Sequence, residues 1–286
     1  MAKKPEKPQD VGTTGHEWDG IQELNNPLPR WWLWTFYITI VWALAYTIAY
    51  PAWPLISGAT SGVLGYSSRA EVAADIDAVA AANASLEMRI ESLPLTEIAT
   101  DTEVGHFASS GGAAVYRTFC TQCHGAGAAG APGFPNLLDD DWLWGGDIEA
   151  IYATVKHGIR DEADADTRFS QMPAFGEFMS RAEIAGLTQH VLAISGQDHD
   201  AELAAEGALL FADNCAACHG DAGLGNRELG APNLADAIWL YGHDADAITT
   251  SITNARFGMM PSWQTRLSEA QIRQVAVYIH QQGGGE

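Results

Sequence analysis

Two copies of one short pattern constrain this chain more than any other feature: Cys120-Thr121-Gln122-Cys123-His124 and Cys215-Ala216-Ala217-Cys218-His219. Together they use all four cysteines of the sequence. Two cysteines one helical turn apart can each form a thioether to a vinyl group of the same porphyrin. The histidine that follows then supplies the proximal nitrogen to the iron, so Cys-x-x-Cys-His reads as c-type haem attachment. A thioredoxin-like redox pair requires neither that histidine nor a second copy. A zinc site pooling the four cysteines leaves both histidines unexplained.

The repeat extends beyond the pattern, as an internal duplication should. With Cys120 set on Cys215, Gly112 falls on Gly207 and Tyr116 on Phe211. Downstream, Pro135-Asn136-Leu137 falls on Pro232-Asn233-Leu234, and Trp144-Gly145 on Tyr241-Gly242. Met172-Pro173-Ala174-Phe175 corresponds to Met260-Pro261-Ser262-Trp263. Ile184, Leu187 and Val191 correspond to Ile272, Val275 and Ile279, spaced for one apolar face of a closing helix. Each copy is the size of a small domain that uses a bound group to complete its core.

Met172 and Met260 are the candidate sixth ligands. A thioether opposite an imidazole raises the iron's potential and suits one-electron transfer. Methionine is more often core filler, but here each recurs at a corresponding position and precedes a proline. Met259 aligns with Gln171 and is read as packing. Taken along the chain, His124 pairs with Met172 and His219 with Met260. Pro135 and Pro232 are placed to offer a carbonyl to the second ring nitrogen of each proximal histidine. His157, His190 and His243 have no histidine counterpart, and His16, His106, His199 and His280 lie in polar or terminal segments, so none is read as a ligand. The acidic stretch Asp161-Glu162-Ala163-Asp164-Ala165-Asp166, absent from the second copy, reads as a solvated loop or a docking feature for a basic partner.

Ahead of the repeats, Trp31–Tyr50 holds no charge, glycine or proline and is long enough to cross a hydrocarbon core. Tryptophans crowd its start, and Tyr50 and Trp53 its end, where aromatic rings favour the headgroup level. The run exceeds an ordinary signal-peptide core and follows a long polar leader, so it reads as an uncleaved anchor. Lys3, Lys4, Lys7 and Arg30 precede it, and the next cation is Arg69, which places the N-terminus inside and the rest outside the cytoplasm. The expected divisions are 1–30 cytoplasmic, 31–53 anchor, 54–106 helical spacer, then haem domains at 107–198 and 199–286. Acidic residues outnumber basic ones 36 to 15, for a net charge of -21. That balance excludes non-specific nucleic-acid binding and favours a cationic partner.

Residues 19–32, Asp-Gly-Ile-Gln-Glu-Leu-Asn-Asn-Pro-Leu-Pro-Arg-Trp-Trp, resemble the juxtamembrane signature of the dihaem subunit III of cbb3-type cytochrome c oxidases. Tyr50-Pro51-Ala52-Trp53-Pro54, the spacer from Ser68-Arg69 and the two haem units continue the similarity to the end of the chain. The resemblance implies an all-α fold, with one N-terminal transmembrane helix and two tandem class I cytochrome c-like domains. It implies two covalently bound haem c groups: Cys120, Cys123, His124 and Met172 for one, Cys215, Cys218, His219 and Met260 for the other. It also implies residence in the bacterial inner membrane, haem domains in the periplasm, and a soluble or anchored c-type cytochrome as donor. The expected partners are the monohaem and catalytic oxidase subunits, with oxygen reduced elsewhere than on this chain. A cytochrome subunit of a periplasmic dehydrogenase would share the haem units but not the anchor signature, and a dihaem peroxidase needs an open iron position, which the paired Met-Pro loops argue against. If the repeats are read correctly, a pyridine haemochrome assay with intact mass will count two covalent haems per chain. A colourless protein of the translated mass would refute the reading.

Overall fold

The computed structural model describes residues 12–286; Lys3, Lys4 and Lys7, used above for orientation, lie outside them. The chain forms two compact units, one extending to Ala82 and one spanning Asn83–Glu286. The first opens with an antiparallel hairpin, β1 (Thr13–Trp18) and β2 (Ile21–Leu24), that turns at Asp19-Gly20. Both turn residues have positive φ, as a tight hairpin turn requires. Helix α1 (Arg30–Ala49) follows, with none of its residues buried. It is long and apolar enough to cross a membrane.

The helix stops at Ala49, one residue short of the end of the apolar run at Tyr50 and inside the expected 31–53 anchor. Tyr50 precedes Pro51, which disfavours helical backbone, and Tyr50 is extended. The returning chain then satisfies two carbonyls left free at the helix end: Val63 N–H donates to Ile48 and Leu64 N–H to Ala49. This close return needs Gly62, whose φ is +68° and where a Cβ would lie 2.4 Å from the Ala49 oxygen. Strands β3 (Pro54–Leu55) and β4 (Gly58–Ala59) form a short hairpin before α2 (Ser68–Ser92).

The second unit is helical: α3 (Leu95–Ile98), α4 (Val104–Val115), a π-helical turn (Tyr116–Cys120), α5 (Thr121–His124) and α6 (Ile148–His157). A 3₁₀ turn (Phe175–Glu177) leads to α7 (Arg181–Ile194), α8 (Ala201–Asn214), α9 (Ala216–His219), α10 (Ala245–Asn254) and α11 (Glu269–His280). The duplication reaches the caps. Asp147 and Asp244 accept from the third residue of α6 and α10 respectively. Ser180 with Glu183, and Ser268 with Gln271, form capping boxes on α7 and α11.

Packing does not follow chain order. Helix α4 of the first copy packs against α11 of the second, and α7 of the first copy packs against α8 of the second. The crossings are close enough to require glycine. A Cβ on Gly112 would meet the Gln274 oxygen at 2.1 Å, and one on Gly207 the Gly186 oxygen at 2.0 Å. Aromatic contacts repeat the exchange: Tyr116 lies against Tyr278, and Phe211 against His190, with ring centroids 5.7 and 4.9 Å apart. The cause is the short 195–200 connector, which leaves α7 and α8 no arrangement but antiparallel neighbours. Helix α4 then takes the remaining closing helix, α11. The expected division into 107–198 and 199–286 therefore does not describe how the helices associate. The expected spacer also ends early, because Ile90, Leu95 and Ile98 are buried with Val104, Ala270 and Val277 in the core beside α11.

Gly207→Ala should destabilise the unit by roughly 1–3 kcal/mol, since backbone must shift to admit the methyl group. Gly127→Ala, in open space at ordinary φ, should stay within about 0.5 kcal/mol. Thermal unfolding of the two variants against the parent checks the contrast.

Candidate functional site

Each attachment motif folds as a single helical turn closed by glycine. Gly125 and Gly220, directly after the histidines, share a φ of +78°. The chain then loops back beneath the histidine in the same way twice. Gly130 N–H donates to the His124 carbonyl at 2.9 Å, and Gly225 N–H to the His219 carbonyl at 2.8 Å. A Cβ on Gly130 would lie 2.4 Å from the Phe134 oxygen, and on Gly225 2.6 Å from the Ala231 oxygen. These loops bring the Pro135 and Pro232 carbonyls to 3.0 Å from Nδ1 of His124 and His219. Each Nδ1 thus carries the proton, and Nε2 keeps its lone pair for a metal. Burial lowers both imidazole pKa values, overcoming the carbonyl contact that would raise them, so the rings are held neutral.

The cysteines flank these rings in matching environments. Cys120 and Cys215 are half-buried, and burial pushes their thiols up to about 11; Cys123 and Cys218 are exposed. A free thiol so disfavoured as thiolate is a sluggish redox nucleophile. The donor set fits a covalently held haem: two sulfurs and one oriented, neutral imidazole within each small motif.

The methionines sit differently from the chain-order expectation. Met260 packs on the cluster of Val115, Tyr116, Ile151 and Leu267, which also carries Cys120. Met172 packs on the cluster of Phe175, Leu187, Phe211 and Ile252, which carries Cys215. Each methionine therefore travels with its closing helix into the core of the other copy's motif. Met259, expected to pack, is instead exposed, because the residue after it, Met260, is the one turned to the cluster.

Other residues were legible only in part. His190, which has no histidine counterpart, does not face open solvent: it is half-buried against Phe211, and burial lowers its pKa. The acidic stretch is not a free loop either. Asp164 is 8% exposed and accepts from Asp166 N–H at 2.9 Å and Gln264 Nε2 at 2.6 Å, with His157 beside it. Arg160 was missed entirely. Its guanidinium lies over Trp144 and Phe257 and donates to the Gly258 carbonyl at 2.8 Å. Its φ of +56° is unusual for a residue with a Cβ. Nothing in the local pattern announces either feature. Tyr116, placed correctly one turn before the motif, also donates from its hydroxyl to the Gly125 carbonyl at 2.7 Å, which Phe211 cannot do.

Known proteins match along nearly the whole chain. Residues 10–57 match the family described as the N-terminal domain of cytochrome oxidase-cbb3, FixP. Residues 108–191 and 202–279 match cytochrome C oxidase, cbb3-type, subunit III. The Cbb3-type cytochrome c oxidase subunit CcoP of Cereibacter sphaeroides is 59% identical over 290 residues, covering 100% of both chains. That of Rhodobacter capsulatus is 55% identical over 297 residues, again covering 100% of both. The FixP subunit of Sinorhizobium medicae is 50% identical over 276 residues, 96% of each chain. The match at 10–57 covers the segment that separates an oxidase anchor from a dehydrogenase subunit. The tandem haem units, their oriented histidines and the apolar N-terminal helix agree with it, and the chain belongs to the subunit III family of cbb3-type cytochrome c oxidases.

Proposed function

We propose that the chain is the dihaem electron-transfer subunit of such an oxidase, anchored by α1, with its haem units on the periplasmic side. The observation that carries this is the pair of oriented histidines, each with Nδ1 donating to a proline carbonyl and each beside two cysteines. Bound haem supplies a reversible one-electron store. The protein attaches it through Cys120 and Cys123, and through Cys215 and Cys218. His124 and His219 would hold the iron through Nε2, and they keep one ring orientation because the Pro135 and Pro232 carbonyls hold Nδ1. Met260 then serves the haem of the first motif and Met172 that of the second, the crossed assignment that the clusters favour. A sulfur donor paired with imidazole would raise the potential and keep exogenous ligands from the iron, which suits relay over bond chemistry.

Partners follow from the family and the charge. Other oxidase subunits associate with the chain. Electrons enter from a c-type cytochrome whose basic face meets the acidic surface, and leave toward the monohaem and catalytic subunits. The lysines before α1 support a cytoplasmic N-terminus.

Two experiments test the reading. A full-length chain with Cys215 and Cys218 replaced by alanine should keep one haem. Adding Met260→His should then abolish the far-red thioether-to-ferric-iron absorption band, while adding Met172→His should leave it. The reverse outcome restores the chain-order pairing. Second, association with a basic cytochrome should slow steeply as ionic strength rises, because the Debye length shrinks to about 10 Å at 0.1 M salt. A flat stopped-flow salt profile would remove the charge-steering part of the proposal.

A further inference from the structure

The segment 258–264, which carries Met260, is fastened along its length to residues 155–164 of the other copy. Arg160 donates to the Gly258 carbonyl at 2.8 Å. Ile159 and Met260 exchange both backbone hydrogen bonds, at 2.9 and 3.0 Å. The Asp161 carboxylate accepts the Ser262 N–H at 2.7 Å, and the Ser262 hydroxyl donates to the Lys156 carbonyl at 2.8 Å. Trp263 N–H donates to Val155, and the Gln264 amide to buried Asp164 at 2.6 Å. Nothing comparable holds the other methionine: among the described residues, no hydrogen bond involves Gln171, Met172 or Pro173.

The acidic stretch itself is wound inward. Asp161 also accepts from Ala163 N–H at 3.0 Å, and its own N–H donates to Thr167 Oγ1 at 3.1 Å. Its shape is set by backbone donors, which leaves one carboxylate oxygen of Asp161 and one of Asp164 directed at the methionine segment. Hydrogen bonds to carboxylates are about twice as strong as neutral ones, so these two arms dominate the fastening. Gly158 completes the fit, because a Cβ there would lie 2.4 Å from the Met260 oxygen.

From this we infer that the 161–166 insertion is an intramolecular clamp, and that Asp161 and Asp164 are positioning residues that keep the Met260 sulfur on its iron. The inference rests on Met260 being an axial ligand, as proposed above. It makes the two haems unequal. The haem attached through Cys120 would have its methionine on a fastened segment, whereas Met172 itself is held by side-chain packing. Releasing the clamp lets the 258–264 segment open, and a small ligand can then compete for the iron.

The test uses the full-length chain with both haems, reduced and mixed with carbon monoxide, and the far-red band of the oxidised form. Asp161→Ala should raise the rate of carbon monoxide binding roughly tenfold at one of the two haems and weaken the far-red band, as loss of a hydrogen bond to a charged group predicts. Asp161→Asn keeps one acceptor oxygen where the Ser262 and Ala163 N–H groups use two, and should fall between the parent and Asp161→Ala. Gln264→Ala cuts only the Asp164 arm, at an exposed residue whose loss does not threaten folding, and should move both readouts the same way by less. The clamp is overturned if Asp161→Ala and Gln264→Ala both match the parent while Met260→Ala opens that haem. If Met260→Ala itself changes neither band nor binding, the ligation fails and the clamp falls with it.

Discussion

The short 195–200 connector governs the architecture of the haem-bearing unit. It leaves α7 and α8 adjacent and antiparallel, so the closing helix of one copy covers the opening helix of the next. The glycine at each crossing, Gly207 against Gly186 and Gly112 against Gln274, lets the backbones approach closely enough to exclude side chains. Once α7 is committed, the exposed face of α4 can be buried only by α11. Because each methionine lies just ahead of a closing helix, the exchange carries both candidate sulfur ligands across as well.

That exchange ties the two haem environments into one folding unit. Neither motif has a complete core without residues from the other copy, as the shared clusters around Tyr116 and Phe211 demonstrate. The tail of α2 and helix α3 are drawn in too: Arg273 on α11 donates to the carbonyls of Ile90 and Leu93. A relay benefits from such construction, since ligands that do not move between oxidation states leave the potential to be set by donor type and burial. The departures from symmetry mark where the copies differ in detail. The π-helical turn and the Tyr116 hydroxyl bond belong to the first motif alone, and so does the inward-wound acidic stretch.

Much of this was legible in the residues. Cys-x-x-Cys-His states its chemistry by spacing, and the proline carbonyls fell where the second-nitrogen argument required. The anchor announced itself by composition, and its helix ends just ahead of Pro51, where the apolar run also ends. What stayed hidden was long-range. Two similar copies present interchangeable faces, so periodicity identifies a closing helix without saying which opening helix it covers. Connector length carried that information, and it acts through tertiary geometry rather than local pattern. Asp161 and Asp164 were misread for a related reason: acidic residues in a row usually face water, and their partners, Ser262 and Gln264, lie on a distant part of the chain.

The most direct measurement splits the chain after residue 198. If the copies are interdigitated, the N-terminal fragment, matured alone, will lack the low-spin, methionine-ligated spectrum, and co-expression with 199–286 will restore it. If the fragment alone shows an intact low-spin spectrum with the far-red sulfur band, each copy closes on its own haem and the crossed account is wrong.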